Sequence, residues 1–225
     1  MIQAIRPLPN VAARKHLDAL RISSDLTCLF RQMKQRNEAM ITPQGVIDVL
    51  YHAGVNCVLI GTYGLGGWRD QPRATQDVDV LVRKNDVCKA VRTLHATYAE
   101  LTIEDHPIVT RFVDPASGLP AIDLWKPNGS GLHFVFRHTI RVGKTHEIPE
   151  LEMALACKFA AMKSPKREMA KKYLDMGDFM NVVMHNRTEL DCPKLKRLGD
   201  KVYPNGGTEI LQLVADIDAG RKIQI

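Results

Sequence analysis

The chain has 225 residues, 45% of them apolar and 25% charged, with a net charge of +6 and a pI near 9.1. That is the composition of an ordinary globule with room for one large domain or a core plus a helical appendage, and its basic balance permits a polyanionic partner without demanding one. No run approaches the ~18 apolar residues of a membrane helix, MIQAIRPLPN lacks the pattern of a signal peptide, and five scattered cysteines without CxxC offer neither a disulfide framework nor a zinc knuckle. The expectation is a cytoplasmic protein with no membrane partner.

In chain order, residues 1–10 read as an irregular lead-in carrying Pro7 and Pro9. Residues 11–36 read as a helix with a break available at Ser23-Ser24 and a buried stripe of Leu17, Leu20, Leu26, Leu29, Phe30 and Met33. The charges from Arg31 to Glu38 read as a solvated face. Thr42-Pro43 is a cap and first-turn pair that starts the next helix, and Gly54 is placed to end it. Val55–Ile60 is a β-branched strand. A second strand, residues 78–82, precedes a helix over residues 86–95 capped by Asn85. Strands are expected at 98–103, 108–113 and 120–125, the last two joined by the turn Asp114-Pro115-Ala116-Ser117-Gly118, and another at 133–142. Ile148-Pro149 opens a helix that is apolar nearly all round, which predicts burial and makes Lys158 conspicuous. Ser164-Pro165 restarts a helix to residue 184, and Thr208 caps a last one that Gly220 ends. The strand–helix–strand order suggests an α/β sheet; the class expected for the whole chain is α+β, divided as a helical extension (1–41), a core of a small mixed sheet with flanking helices (42–147) and a C-terminal helical region (148–225).

The most informative stretch is VNCVLIGTYGLGGWRDQPRATQDVDVLV, residues 55–82. A strand runs into a glycine-rich turn, and the next strand opens with Asp77-Val78-Asp79. Strand side chains alternate, so the two aspartates share one face while Val78 and Val80 enter the core. Two like charges on one face have no packing role, and a divalent cation makes such a pair favourable. Asp123, alone in the apolar strand AIDLW, sits after a hairpin that can bring it beside them. The competing reading makes these three unrelated surface residues, far apart in space. The glycines fit neither a P-loop, which needs G-x-x-x-x-G-K-[ST], nor the G-x-G-x-x-G of a dinucleotide fold. The eight histidines suggest no close ligand set.

This arrangement resembles the minimal nucleotidyltransferases of the DNA polymerase β-like superfamily, and more closely the bacterial branch near the AbiEii-type toxins. The likeness rests on the glycine turn, on Arg73-Ala74-Thr75-Gln76-Asp77-Val78-Asp79 and on Asp123, and it spans about residues 42–184. It implies a nucleotidyltransferase fold in which Asp77, Asp79 and Asp123 are the catalytic carboxylates and hold Mg²⁺, with two ions expected. It further implies an NTP, such as ATP, whose phosphates lie against the backbone of Gly61 and Thr62. Arg73, Lys158 and Lys171 are the candidate phosphate contacts, the last from the helix segment that also carries Asp175 and Asp178. Arg73 has an equal rival reading as an internal brace of the aspartate loop, Lys158 as a snorkelling cation, and Asp175 reads as an orienting partner. Trp68 is read as packing, with base stacking as its rival, and Thr75 as a turn residue. Thr62 departs from the pattern, which has Gly or Ser there. The acceptor hydroxyl on tRNA, protein or a small molecule is not readable, and a toxin with a cognate antitoxin is one form the activity takes. The alternative is a catalytically degenerate member of the fold that binds or regulates.

Overall fold

The computed structural model describes residues 9–34, 41–128 and 131–223. Residues 1–8 of the lead-in expected at 1–10, the charges over 35–40 and the middle of the loop at 127–131 lie outside that set, while Pro9 and Asn10 already belong to the first helix. Eight helices and seven strands appear among the described residues, in the order α1 (Pro9–Met33), α2 (Pro43–His52), β1 (Cys57–Leu59), α3 (Gly61–Gly64), β2 (Val78–Val82), α4 (Val87–Thr97), β3 (Thr102–Asp105), β4 (Val109–Asp114), β5 (Leu119–Trp125), β6 (Thr139–Val142), β7 (His146–Pro149), α5 (Leu151–Lys163), α6 (Met169–His185), α7 (Cys192–Val202) and α8 (Gly206–Asp218). The strands form one mixed sheet, ordered β3-β4-β5-β2-β1-β7-β6. The pairs β2–β5 and β1–β7 are parallel and the others antiparallel. A mixed α/β architecture agrees with the expected α+β class. Among the described residues no helix is long and apolar enough to cross a membrane.

Alternation along β2 and β5 fixes what each sheet face does. Val78, Val80, Val82, Ile122 and Leu124 join Val46, Ile47 and Leu50 of α2 and Ala90 and Leu94 of α4 in the main core. The other face carries Asp79 and Asp123 at one end and Leu81 farther along. There Leu81 and Val58 pack on Met153 and Ala156 of α5. The opposite side of α5, with Leu155, Phe159 and Met162, meets Phe179 and Val182 of α6, Leu195 of α7 and Ile210 and Val214 of α8. A helix buried on both sides explains its all-round apolar sequence, and it carries Lys158 to the carboxylate-bearing face.

Several local expectations need correction. Helix α1 runs without a break, and its buried face is Ala12, His16, Ala19, Leu20, Ser23, Thr27 and Arg31. Of the stripe expected inside, only Leu20 is buried; Leu17, Leu26, Leu29, Phe30 and Met33 are exposed. Arg31, expected in solvent, has an exposure of 0%. Polar contacts rather than hydrophobic pattern orient this helix: His16 Nε2 lies 3.0 Å from His146 Nε2 on β7. The supposed strand at 98–103 starts only at Thr102, because Tyr98–Leu101 closes a turn. The one at 133–142 is a 3₁₀ turn, Leu132–Arg137, before β6. Gly131 enters that turn at φ 73°, and the Phe134 and Phe136 rings stack under the Lys201 and Arg83 cations instead of alternating. Residues 165–168 form a turn, so α6 begins at Met169, and α8 begins two residues before Thr208, from Asn205 at φ 57°. Helix α4 begins at Val87 behind Asp86, after a 3₁₀ turn over Lys84–Asp86 that contains Asn85. Thr42 caps α2 as expected, accepting from the Gly45 N–H at 3.1 Å.

Candidate metal and phosphate centre

Strands β2 and β5 run parallel with Asp79 directly opposite Asp123. Asp77 lies one residue before β2 on the same side. Each of the three offers a carboxylate oxygen, and these oxygens all lie within 4.8 Å of one another. Among the described residues this is the one group of three or more His, Cys, Asp and Glu so arranged. The reading in which the three are scattered over the surface is thereby excluded.

The carboxylates are held in a way that leaves them short of partners. Asp123 is 5% exposed, and its buried Oδ1 accepts no hydrogen bond. Arg111, opposite it on β4, stays 3.7 Å away at Nε. Burial, with Asp77 adding repulsion, pushes the Asp123 carboxyl up to about 7 against the opposing pull of Arg111, Lys171 and Arg167. Asp79 is pushed well above the usual carboxylate range, by loss of solvent first and then by Asp77 and Asp123. Trp125 Nε1–H donates to Asp79 Oδ1 at 2.8 Å and opposes that rise, as does the charge of Lys158. An all-oxygen donor set with mutual repulsion and an orphaned buried oxygen fits a hard divalent cation.

Gly61 stands over this centre. It has φ 62°, and a Cβ there would fall 2.7 Å from Asp79 Cγ and closer still to its Oδ2. Only glycine lets the β1–α3 turn approach the carboxylate. The expected outcome of Gly61→Ala is a loss of about 1–2 kcal/mol from the left-handed backbone together with displacement of Asp79. Thermal melting and Mn²⁺ titration check both parts; unchanged Mn²⁺ affinity would show that the turn does not govern the site.

The candidate cations occupy the opposite wall, within an ion-pair network. Lys158 Nζ lies 2.8 Å from both Asp175 Oδ1 and Asp178 Oδ2. Burial lowers the Lys158 pKa, while contact with Asp175 pulls it back. Arg73 binds Asp178 through Nε (3.0 Å) and Nη2 (2.8 Å), and its Nη2 also donates to Thr62 Oγ1 at 2.7 Å. Arg69 pairs with Asp178 as well, and Arg167 Nε reaches Asp175 at 2.5 Å. The charges of Asp77 and Asp79 act on Arg73. Arg73 therefore braces the loop between turn and carboxylates, one of the two roles expected of it, and ties it to Thr62 of α3.

Lys171 is not gathered into this wall. It is exposed on the first turn of α6, 3.8 Å from Glu168, and only its charge is felt at Asp123. Asp175, expected as an orienting partner, pairs with Lys158 and Arg167. Trp68 packs among Leu65, Leu155 and Phe179, with its Nε1–H donating to Pro149 O at 3.0 Å. Thr75 Oγ1 lies 3.4 Å from Asp77 Oδ1. Residues that sequence reasoning did not single out are Asp178 as the hub of the network, Arg69, Arg111, Trp125 and, on α1, Thr27 and Arg31. A D-x-x-D pair after a lysine was the one visible signal for Asp178.

No protein-family model matches the chain, and no curated protein matches it either.

Proposed function

We propose that this chain is a Mg²⁺-dependent nucleotidyltransferase of the DNA polymerase β-like kind, transferring a nucleoside monophosphate from an NTP to a hydroxyl. The observation that carries the reading is Asp79 and Asp123 in register on parallel strands, with Asp77 beside them and Gly61 above. The order of strand, glycine turn, D-x-D strand and third-aspartate strand is the one the resemblance implies, and the mixed sheet supports it.

In this mechanism Asp77, Asp79 and Asp123 hold the metal. A divalent cation such as Mg²⁺ held there would supply charge neutralisation for the triphosphate and would acidify the attacking hydroxyl. Arg73 and Lys158 turn their charge toward the β- and γ-phosphates from the opposite wall, and the Gly61–Thr62 backbone supports them. Asp123 Oδ1, which has no hydrogen-bond partner, takes the proton of the acceptor hydroxyl. The acceptor oxygen bonds to the α-phosphorus, the α–β bridging P–O bond breaks, and pyrophosphate leaves. The acceptor is tRNA, a protein or a small molecule; a basic rim of Arg111, Arg167 and Lys171 beside Asp123 suits an anionic one. A toxin acting within a toxin–antitoxin pair is one biological form such an activity would take.

One observation favours a second reading, a binding or regulatory protein on a degenerate nucleotidyltransferase fold. Thr62 replaces the usual small residue, and its hydroxyl is already engaged by Arg73, while Lys158 is held by two aspartates. Purified protein with Mg²⁺, each labelled NTP, and total RNA or protein extract separates the two. Label transferred to a macromolecule, abolished by EDTA, supports the enzyme. NTP retained without transfer supports the binding protein, and neither outcome in any fraction overturns both.

Metal binding is also expected to depend on pH. The raised Asp123 pKa means that the metal-free folded protein keeps a proton there up to about pH 7, against 3.8 for an ordinary aspartate. That site destabilises the metal-free fold progressively as pH rises through this window, and bound metal cancels the loss. Mg²⁺ at about a hundred times its Kd should therefore raise Tm by roughly 5–10 °C at pH 8 and by clearly less at pH 5.5. A Mg²⁺ shift that is equal at the two pH values would rule this linkage out.

A further inference from the structure

Helix α1 lies outside every motif in the sequence, yet its inner face touches the segment that leads into the carboxylate strand. Thr27 Oγ1 donates to Ser23 O (2.7 Å), accepts from Tyr63 Oη (3.1 Å) and accepts the Thr75 backbone N–H (3.1 Å). One hydroxyl thereby uses its donor and both acceptor positions to join α1, α3 and the loop before β2. Four residues on, Arg31 donates from Nη1 to Ile41 O (2.7 Å) and from Nη2 to Gln76 O (2.6 Å). The chain is thus gripped at residues 75 and 76, immediately before Asp77.

Simple packing does not account for this choice of face. The helix owns Ile22, Leu26, Leu29, Phe30 and Met33, and all five are exposed. Inward it turns, beside Ala12, Ala19 and Leu20, a histidine, a serine, a threonine and an arginine. Burying a guanidinium carries a large desolvation penalty unless its hydrogen bonds are well made. The sequence accepts that penalty where the acceptors are the backbone carbonyls flanking the site, so the hydrogen bonds, rather than apolar burial, set the rotation of α1.

We propose that Thr27 and Arg31 are positioning residues for the carboxylate centre, acting on Asp77 through the backbone of residues 75 and 76. The metal-binding part of this inference rests on the nucleotidyltransferase reading; the loop-fixing part does not. The test uses the full chain and four variants, Thr27→Val, Thr27→Ser, Arg31→Met and Arg31→Lys, with amide hydrogen exchange of the metal-free protein and Mn²⁺ titration as paired readouts. Thr27→Val and Arg31→Met should speed exchange over residues 73–79 selectively, with β4–β5 and α7–α8 unchanged, and weaken Mn²⁺ binding about tenfold, the effect typical of a residue that orients a metal ligand. Thr27→Ser should behave as wild type, and Arg31→Lys should fall between. Should Arg31→Met not fold, Thr27→Val decides. Unchanged exchange at 73–79, or exchange accelerated equally everywhere, would overturn the inference. A wild-type chain that binds no Mn²⁺ would instead sink the metal-enzyme reading, and the exchange data would still decide the role of α1.

Discussion

Asp79→Asn is expected to abolish metal binding and at the same time stabilise the protein. Asp79 is crowded by two other carboxylates and deprived of solvent, so its ionised form is disfavoured and its pKa stands well above the usual range. An asparagine keeps the shape and can still accept the Trp125 Nε1–H that now reaches Oδ1 at 2.8 Å. It removes one of the three charges that repel each other across less than 4.8 Å. The metal-free variant should gain about 1–2 kcal/mol, the size of effect seen when a strained functional site is relaxed. The same change removes a ligand from the middle of the cluster, so Mn²⁺ affinity and nucleotidyl transfer should each fall by at least about a hundredfold. Melting at pH 8 without metal, a Mn²⁺ titration and the transfer assay read the three effects on one preparation. A variant that is less stable and binds metal as well as wild type would mean the three aspartates serve the fold, not a ligand. The opposite signs matter, because a purely structural residue cannot lose its function while adding stability.

The carboxylate cluster was legible in the sequence because strand periodicity is short-range. D-x-D on a β-strand fixes a shared face with no knowledge of the partner strand, and a lone aspartate in AIDLW announces itself by contrast with its neighbours. Lys158 was legible by a similar contrast, as a charge in the middle of a helix apolar nearly all round. The caps and glycine stops of α2 are local chemistry and were equally readable. Helix α1 was misread because amphipathic pattern assumes that apolar burial sets helix rotation, whereas Thr27, Arg31 and His16 set it through partners 36 to 130 positions away, counting Thr27 to Tyr63 and Thr75, Arg31 to Gln76, and His16 to His146. Residues 133–142 were misread because alternating His, Phe and Val fits a strand unless one knows that Lys201 and Arg83 lie over the two phenylalanine rings. Arg111 and Trp125 could not be found at all without strand register, since each meets its aspartate across a pairing.

Asp178→Asn should produce the largest loss of stability of any single change near the site, about 3–5 kcal/mol, the range for removing one member of a buried ionic cluster. Asp178 is 2% exposed and is contacted by Lys158, Arg73 and Arg69. An asparagine leaves three cations facing a neutral amide whose NH₂ group is itself a donor. Asp175 still pairs with Lys158 and its charge reaches Arg73, but Arg69 and Arg73, in the loop leading to Asp77, lose the carboxylate that both contact. For a chain of this size such a loss corresponds to a fall in Tm of roughly 6–20 °C. The comparison that isolates burial is Asp218→Asn, because Asp218 pairs with Arg187 at 2.7 Å in solvent; surface pairs of that kind contribute at most about 1 kcal/mol. If both variants melt alike, the network is no more than a set of surface ion pairs. If Asp178→Asn alone is destabilised, a polyanion should rescue it, since inorganic triphosphate can occupy the vacated charge position beside Arg73, Arg69 and Lys158. Rescue by triphosphate but not by matched ionic strength of chloride would tie this stabilising cluster to the phosphate wall, because the same cations that need Asp178 in the resting protein are those proposed to meet the nucleotide.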